Sequence, residues 1–103
     1  NLPSIIFDEI DTGVSGETAE KIGNILKEMS RDLQLICITH LPQIAAKAST
    51  NLMVVKSSDT EKTVSNIIEL SKEDSVNEIA RLLSGELISE AALNNAKELI
   101  NRG

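Results

Sequence analysis

In the stretch Ser4-Ile5-Ile6-Phe7-Asp8-Glu9-Ile10-Asp11, a short apolar run ends in three acids, and the glycine-containing segment 12–16 follows it. An uninterrupted apolar run ahead of such a break is typical of a parallel strand that is buried on both faces. The acids would emerge where this strand ends, and open α/β sheets bind their ligands at that carboxyl edge. The stretch therefore predicts an α/β fold with an acidic site at one edge of its sheet.

Asp8 and Glu9 are candidates for two different chemical tasks. Side chains alternate along a strand, so these adjacent carboxylates are expected to point in different directions. The shorter Asp8 suits coordination of a hard cation such as Mg²⁺, directly or through water, whereas the longer Glu9 can reach a water molecule and take its proton. The plain alternative is that a strand leaving the core simply turns polar. The apolar residues directly before the pair favour the functional interpretation.

A helix and a second strand are predicted after the acids. Ser15 or Gly16 can cap a helix whose first turn carries an acid, and Leu33 to Ile38 reads as a second buried strand. A strand, helix and strand in about 35 residues form a crossover unit, which makes the two strands parallel. Asp8 and His40, the single histidine, are therefore expected at the same edge of the sheet. The helix between them has apolar residues at helical spacing that predict a face packed on the sheet: Ala19, Ile22, Ile25, Leu26 and Met29.

The second half of the chain is predicted to be architectural. Pro42 suits the first turn of a short helix that runs to about Ala48. Gln43 in that turn could be a polar neighbour of the site, but exposed polar decoration is the favoured interpretation. Two strands, 52–56 and 63–70, alternate enough to form a hairpin around a polar turn. Ser75-Val76-Asn77-Glu78 resembles a capping box that starts a helix ending at Gly85, and Ser89 starts the last helix.

The composition argues against several classes of function. The 103 residues carry a net charge of −6 without a basic cluster, and Phe7 is the only aromatic residue, so neither a DNA-binding surface nor a base-stacking platform is expected. The single Cys37 excludes an intrachain disulfide and reads as core filler. Without a long apolar run or a signal pattern, a cytoplasmic protein with no membrane partner is expected. The first strand begins so near Asn1, with no initiator Met, that the chain reads as one domain cut from a longer protein.

Two motifs resemble those of the ABC-type ATPases. Ile5-Ile6-Phe7-Asp8-Glu9 is similar to their Walker B motif, in which the Asp serves Mg²⁺ and the Glu polarises the attacking water. The segment Ile38-Thr39-His40-Leu41-Pro42-Gln43-Ile44-Ala45 resembles the switch-histidine segment of the branch related to chromosome-maintenance ATPases. Asp-Glu-Ile-Asp-Thr-Gly-Val-Ser-Gly, Thr-His-Leu-Pro-Gln and the tail from Glu78 to Ile100 are together similar to bacterial DNA-repair ATPases of that branch. The resemblance spans nearly the whole chain.

This resemblance implies a role for each candidate site residue. Residues 1–103 would form the C-terminal lobe of a P-loop NTPase head of the ABC type. In it, Asp8 would bind Mg²⁺, Glu9 would act as the catalytic base, and His40 would contact the terminal phosphate of ATP and link nucleotide state to dimer closure. Ser15 stands where such ATPases often carry a loop acid, so Asp11 is the candidate for the cross-dimer role in the dimer-interface loop. The implied function is ATP-driven head dimerisation in a protein of DNA double-strand-break repair and recombination, cytoplasmic and associated with the nucleoid.

Two expected parts of such an ATPase are absent from the sequence. The five glycines, at positions 13, 16, 23, 85 and 103, form neither a Gly-x-x-x-x-Gly-Lys-Ser/Thr loop nor a Ser-Gly-Gly signature segment. The phosphate cradle is therefore expected from the rest of the head, its P-loop lobe and coiled coil, and a second copy would complete the ATP sandwich. DNA would be bound by the parent protein rather than by this acidic segment. The chain alone is expected to bind nucleotide poorly and not to hydrolyse ATP.

Two alternatives from other classes of function stay open at this point. A phosphoacceptor receiver domain also places acids, a Thr and a Lys at the ends of parallel strands, and Asp8, Glu9, Thr39 and Lys56 could be assigned to those places. A receiver, however, needs its phosphoacceptor Asp on a separate strand from the acid pair. The other alternative is a structural interaction module whose acidic edge is merely solvated. Mg²⁺-dependent labelling by a small phosphodonor would separate the receiver from the other two.

Overall fold

The computed structural model describes residues 3–8, 13–58, 62–85 and 87–102. Strands and helices alternate in the first half, a hairpin follows, and two helices end the chain. In order, the elements are β1 (Ser4–Asp8), α1 (Gly16–Met29), β2 (Gln34–Ile38), α2 (Pro42–Ala45), β3 (Leu52–Ser58), β4 (Thr63–Glu69), α3 (Lys72–Ser84) and α4 (Glu90–Arg102). The α/β class predicted from the sequence is confirmed.

Strands β1 and β2 are parallel neighbours, as the crossover argument predicted. Their register runs from Ser4 opposite Gln34 to Asp8 opposite Ile38. At the amino end, the Gln34 backbone N–H donates to the Pro3 carbonyl at 2.9 Å, and the Ser4 hydroxyl donates to Gln34 Oε1 at 2.8 Å. Both strands therefore start and end together, which brings their carboxyl ends to one edge.

The prediction that β1 and β2 are buried on both faces is wrong for the described residues. Ile6 is 65% exposed and Ile38 is 50% exposed, and Phe7 is only half-buried. Within the described part of the chain this sheet has two strands, so there are too few neighbouring elements to cover both of its faces. Helix α1 is affected in the same way, because Ile25 of its predicted apolar face is 60% exposed.

The core lies between the two C-terminal helices and the end of α2. Its buried residues come mostly from alanine positions, at which helices approach closely: Ala46, Ile79, Ala80, Ala92 and Ala96. Around them pack partly buried side chains, which include the apolar stripes predicted for α3 and α4: Ala45, Val76, Leu83, Leu93, Leu99 and Ile100. This cluster, rather than the sheet, is the best-buried part of the described chain.

Helix α3 begins earlier than the capping-box interpretation predicted. Its cap is Ser71, whose hydroxyl accepts a hydrogen bond from the Asp74 backbone N–H at 3.1 Å, and Ser75 lies buried inside the helix. Both serines precede acids at suitable spacing, but Ser71 places Glu73 and Asp74 in the first turn, at the positive end of the helix dipole. The predicted end of α3 is confirmed, because Gly85 terminates the helix with a φ of 83°. The predicted start of α4 is also confirmed, because the Ser89 hydroxyl accepts from the Ala92 N–H at 3.0 Å.

The hairpin of β3 and β4 is confirmed, with an antiparallel register from Leu52 opposite Glu69 to Ser58 opposite Thr63. Strand β3 is two residues longer than predicted, and the tip at 59–61 lies outside the described residues. Apolar side chains on both faces of this hairpin are exposed, among them Val54 and Ile68. No helix in the described ranges is long and apolar enough to span a membrane.

Candidate functional site

The candidate site lies at the carboxyl edge of β1 and β2. Asp8 is the last residue of β1 and is the register partner of Ile38, the last residue of β2. Thr39 and His40 follow Ile38 directly, so the segment that carries the histidine leaves the sheet beside Asp8. The side chains of Asp8 and His40 are both exposed. The predicted meeting of the two strand ends is therefore confirmed at the level of the backbone.

Two predicted site residues, Glu9 and Asp11, lie outside the described residues. The described part of this loop resumes at Gly13, whose φ of 81° suits glycine, and it ends at Ser15. Ser15 has extended backbone angles and caps α1: its hydroxyl oxygen accepts from the Thr18 N–H at 3.2 Å, and its hydroxyl proton is donated to Thr18 Oγ1 at 3.1 Å. Ser15 thus fixes the point at which the loop after Asp8 enters the helix.

The segment that carries His40 is held by hydrogen bonds on its C-terminal side. Thr39 Oγ1 accepts from the Leu41 backbone N–H at 3.0 Å, which closes a small turn around the histidine. The Leu41 carbonyl then accepts from the Ile44 and Ala45 N–H groups at 3.1 and 3.0 Å, which starts α2. Pro42 is buried in the first turn, where its missing N–H costs no hydrogen bond. His40 is therefore presented to solvent from a short loop that is fixed between a strand and a helix.

Gln43 has a more specific position than its interpretation as exposed decoration predicted. The residue is half-buried, and its amide end lies against the first residue of α1, Gly16. A Cβ on Gly16 would lie 3.1 Å from Gln43 Nε2 and 3.8 Å from its Cδ. A side chain at position 16 would therefore contact the amide more tightly than van der Waals packing usually allows. This contact joins the element after the histidine to the element after the acidic loop.

Helices α1 and α2 also approach closely at Gly23. A Cβ on this buried glycine would lie 3.2 Å from the Gln43 carbonyl oxygen and 3.0 Å from Lys47 Cγ. Ala19, between the two glycines, is fully buried. The sequence signal for this packing was present in the spacing of Gly16, Ala19 and Gly23, which places three small residues on one helical face.

A small ionic network links α1 to Lys47 and to the last helix, α4. The Lys47 side chain is only 7% exposed, and its Nζ lies 3.9 Å from Glu20 Oε1. Glu20 also pairs with Arg102 of α4 at 3.2 Å, and Arg102 pairs with Glu98 at 2.9 Å. The hydrogen bond of Arg102 with Glu98, and to a smaller extent that with Glu20, raises the pKa of its guanidinium above the ordinary value. Sequence reasoning missed this network, because Glu20 is far along the chain from both Lys47 and Arg102.

The donor set for a divalent cation is incomplete in the described ranges. No group of three or more His, Cys, Asp or Glu side chains there could hold a metal ion. Among the described residues at the ends of β1 and β2, Asp8 provides an exposed carboxylate. Such a residue fits Mg²⁺, which keeps several waters and takes one or two carboxylates together with substrate phosphates. The site is thus compatible with a metal that is held jointly with a nucleotide.

Solved structures identify the class of fold. A structure from work on the ATP-driven dimerisation and DNA-stimulated activation of SMC ATPases matches with a TM-score of 0.64 and 24% identity, covering 82% of this chain and 50% of that one. The Smc head domain with a coiled coil and joint from Pyrococcus yayanosii matches with a TM-score of 0.60 and 28% identity, covering 75% of this chain and 14% of that one. The chain therefore has the P-loop NTPase-like fold of part of an SMC ATPase head. This fold favours the ATPase-head interpretation over the receiver domain.

Curated relatives identify the family, whereas no family model matches the chain. The DNA repair protein RecN of Vibrio cholerae is 44% identical over 100 residues, which are 97% of this chain. RecN of Rickettsia conorii is 44% identical over 99 residues, and RecN of Bacillus subtilis is 41% identical over 102 residues. The chain spans 18% of the length of each of these three relatives. It corresponds to a segment of the RecN family, in agreement with the resemblance found in its motifs.

Proposed function

We propose that this chain supplies the Mg²⁺-binding and water-activating residues of an ATP-hydrolysing head in a DNA-repair ATPase. The proposal rests on the parallel pairing of β1 with β2, which brings Asp8 and the His40 segment to one edge. That edge is where sheets of this class bind nucleotides. The similarity to RecN, a DNA repair protein, and to SMC ATPase heads supports both the chemistry and the biological setting.

The three proposed active residues have separate tasks. The exposed Asp8 carboxylate would hold Mg²⁺, directly or through water, and the metal would neutralise charge on the phosphates of ATP. Glu9, next in sequence, would accept the proton of the attacking water. His40, on a loop fixed by the bond from the Leu41 N–H to Thr39, would donate a hydrogen bond to the terminal phosphate.

The remaining parts of the active site would come from other segments of the head. The proposed partners are the P-loop lobe with its coiled coil, a second copy that sandwiches ATP, and DNA contacted elsewhere in the parent. The exposed apolar side chains of the sheet, such as Ile6 and Ile38, support a covering lobe, because two strands rarely form a stable sheet alone. The loop with Asp11 and Ser15 is proposed to face the second copy.

Three substitutions in an intact RecN protein that carries this segment test the roles. Glu9→Gln should retain ATP binding and slow hydrolysis by roughly 10²–10⁴-fold, the usual worth of a positioned base, so that the ATP-bound dimer persists. Asp8→Asn should weaken binding of the metal-nucleotide complex before any chemistry occurs. His40→Ala should reduce turnover more than affinity, because it removes one contact to the phosphate.

Single-turnover hydrolysis and ATP affinity, measured on each variant, separate these effects. Glu69→Gln is a matched control, because Glu69 is an exposed carboxylate at the end of β4, in a different sheet from β1 and β2. Wild-type hydrolysis by Glu9→Gln would remove Glu9 as the base. Wild-type hydrolysis by His40→Ala would return the histidine to a structural role.

A further inference from the structure

The contact between Gln43 and Gly16 connects two loops of the candidate site. Gln43 lies three residues after His40, and Gly16 directly follows Ser15, the cap that ends the loop after Asp8. The amide end of Gln43 fills the space above Gly16, with Nε2 3.1 Å from where a Cβ would be. The side chain is half-buried there rather than extended into solvent. The Gln43 side chain therefore links the helix after the histidine loop to the start of α1.

Helices α1 and α2 also pack closely at a second position, Gly23, which restricts their movement relative to each other. At Gly23, the Gln43 carbonyl oxygen and the Ile44 Cα would lie 3.2 and 3.6 Å from an added Cβ, so the α2 backbone rests directly on α1. Closely packed interiors transmit displacements because they contain little free volume. The loops that precede α1 and α2 are consequently both attached to this helix pair, and the Gln43 side chain of α2 contacts Gly16, the first residue of α1.

We propose that Gln43 is a positioning residue for ATP hydrolysis: its amide, packed on Gly16, sets the loop that ends at Ser15 relative to His40. The inference rests on the proposed function and adds a residue to it. Gln43 is not proposed to contact the phosphates of ATP. It acts through the alignment of the histidine loop with the dimer-interface loop, so its loss lowers turnover and closure of the ATP-bound heads but spares nucleotide affinity.

The test uses an intact RecN protein that carries this segment. In Gln43→Ala, we expect kcat for ATP hydrolysis to fall about 10- to 100-fold, the usual effect of a small misplacement of reacting groups, with an unchanged KM and melting temperature. The fraction of ATP-bound dimer should fall in parallel. Gln43→Met keeps a side chain of similar length over Gly16 and should recover most of the activity. Asn95→Ala removes an exposed amide from α4 and serves as the matched control.

A second pair of variants tests the contact itself. Gly16→Ala places a methyl group 3.1 Å from Gln43 Nε2, which is close enough to displace the amide, so kcat should fall although alanine favours the helix. In the double variant Gly16→Ala/Gln43→Ala, the methyl group has no amide to displace. We therefore expect kcat of the double variant to equal that of Gln43→Ala rather than the product of the two losses.

Several outcomes would overturn the inference. One is wild-type kcat and dimer formation in Gln43→Ala; another is a loss of kcat only together with a loss of melting temperature in both Gln43→Ala and Gln43→Met. Multiplicative losses in the double variant would also refute the contact as the cause. Glu9→Gln, assayed in parallel, separates the two proposals. If Glu9→Gln is impaired and Gln43→Ala is not, only the role of Gln43 fails; if Glu9→Gln hydrolyses ATP normally, both fail.

Discussion

Gly23→Ala gives the sharpest test of the packing between α1 and α2. Inside a helix, alanine is favoured over glycine by about 1 kcal/mol, so helix propensity alone predicts a more stable protein. At this position, however, the new methyl group would lie 3.0 Å from Lys47 Cγ and 3.2 Å from the Gln43 carbonyl oxygen. The lysine methylene can shift, but the carbonyl belongs to the α2 backbone and cannot move without separating the helices.

The change in the free energy of unfolding is the difference between the packing cost and the gain in helix propensity. Inserting a methylene into a well-packed interior costs about 1–3 kcal/mol. After subtraction of the gain in helix propensity, Gly23→Ala should lower the free energy of unfolding by about 1 kcal/mol. The sign is the informative part, because propensity and packing predict opposite changes. Asn24→Ala is the matched control: its side chain is exposed on the same helix, so alanine should be neutral or slightly stabilising there.

Urea unfolding of the 103-residue chain, followed by far-ultraviolet circular dichroism, measures both variants. For a denaturant slope of about 1–2 kcal/mol per molar, the expected loss lowers the urea midpoint of Gly23→Ala by roughly 0.5–1 M. The Asn24→Ala midpoint should stay at or slightly above that of the unchanged chain. A higher midpoint for Gly23→Ala would mean that α1 and α2 do not approach closely, and it would also remove the foundation proposed for Gln43.

Two further substitutions test the buried lysine and the end of α3 in the same assay. Glu20→Gln removes the carboxylate that the buried Lys47 side chain shares with Arg102, which should cost about 1–2 kcal/mol. The cost is lower than for a fully buried pair, because the Lys47 N–O distance is 3.9 Å and Glu20 is partly exposed. Arg102 keeps its pair with Glu98, so an unchanged midpoint would show that Lys47 is adequately solvated without Glu20. Gly85→Ala should cost about 1–3 kcal/mol, because the backbone angles of 83° and −155° are open almost only to glycine. Apart from the chain neighbours of Gly85, no atom of the described residues lies within 4 Å of an added Cβ there, so a midpoint unaffected by this change would contradict the strain argument directly.

The topology was predictable because it depends on local patterns. The apolar run before Asp8, the cap at Ser15 and the length of the crossover were enough to predict parallel strands that end at one edge. Helix starts were less secure where two caps compete: Ser71 and Ser75 both precede acids, and only the structure shows that Ser71 is used. The Gln43 contact with Gly16 was not predictable from local pattern, because it joins residues that are far apart in the sequence.

Burial was the property that local pattern predicted worst. The run through Ile6 has the composition of a strand covered on both faces, yet Ile6 and Ile38 are largely exposed in the described chain. An apolar pattern indicates that a strand is stable when both of its faces are covered. It does not indicate whether the layers that would cover those faces are present. The same difference affects the hairpin, where Val54 and Ile68 are exposed on opposite faces.

The packing of α1 on α2 gives the candidate edge a geometry that does not depend on a covered sheet. Gly16, Ala19 and Gly23 let α2 approach α1 so closely that the two helices have one relative position. The loop from Asp8 enters α1 at Ser15, and the loop with His40 enters α2 through the turn at Thr39. Both loops are therefore anchored on the same helix pair at one end and on paired strands at the other. A nucleotide that binds across this edge would meet strand ends and helix starts whose relative position is already set, so the entropy cost of aligning them is met during folding rather than at each turnover.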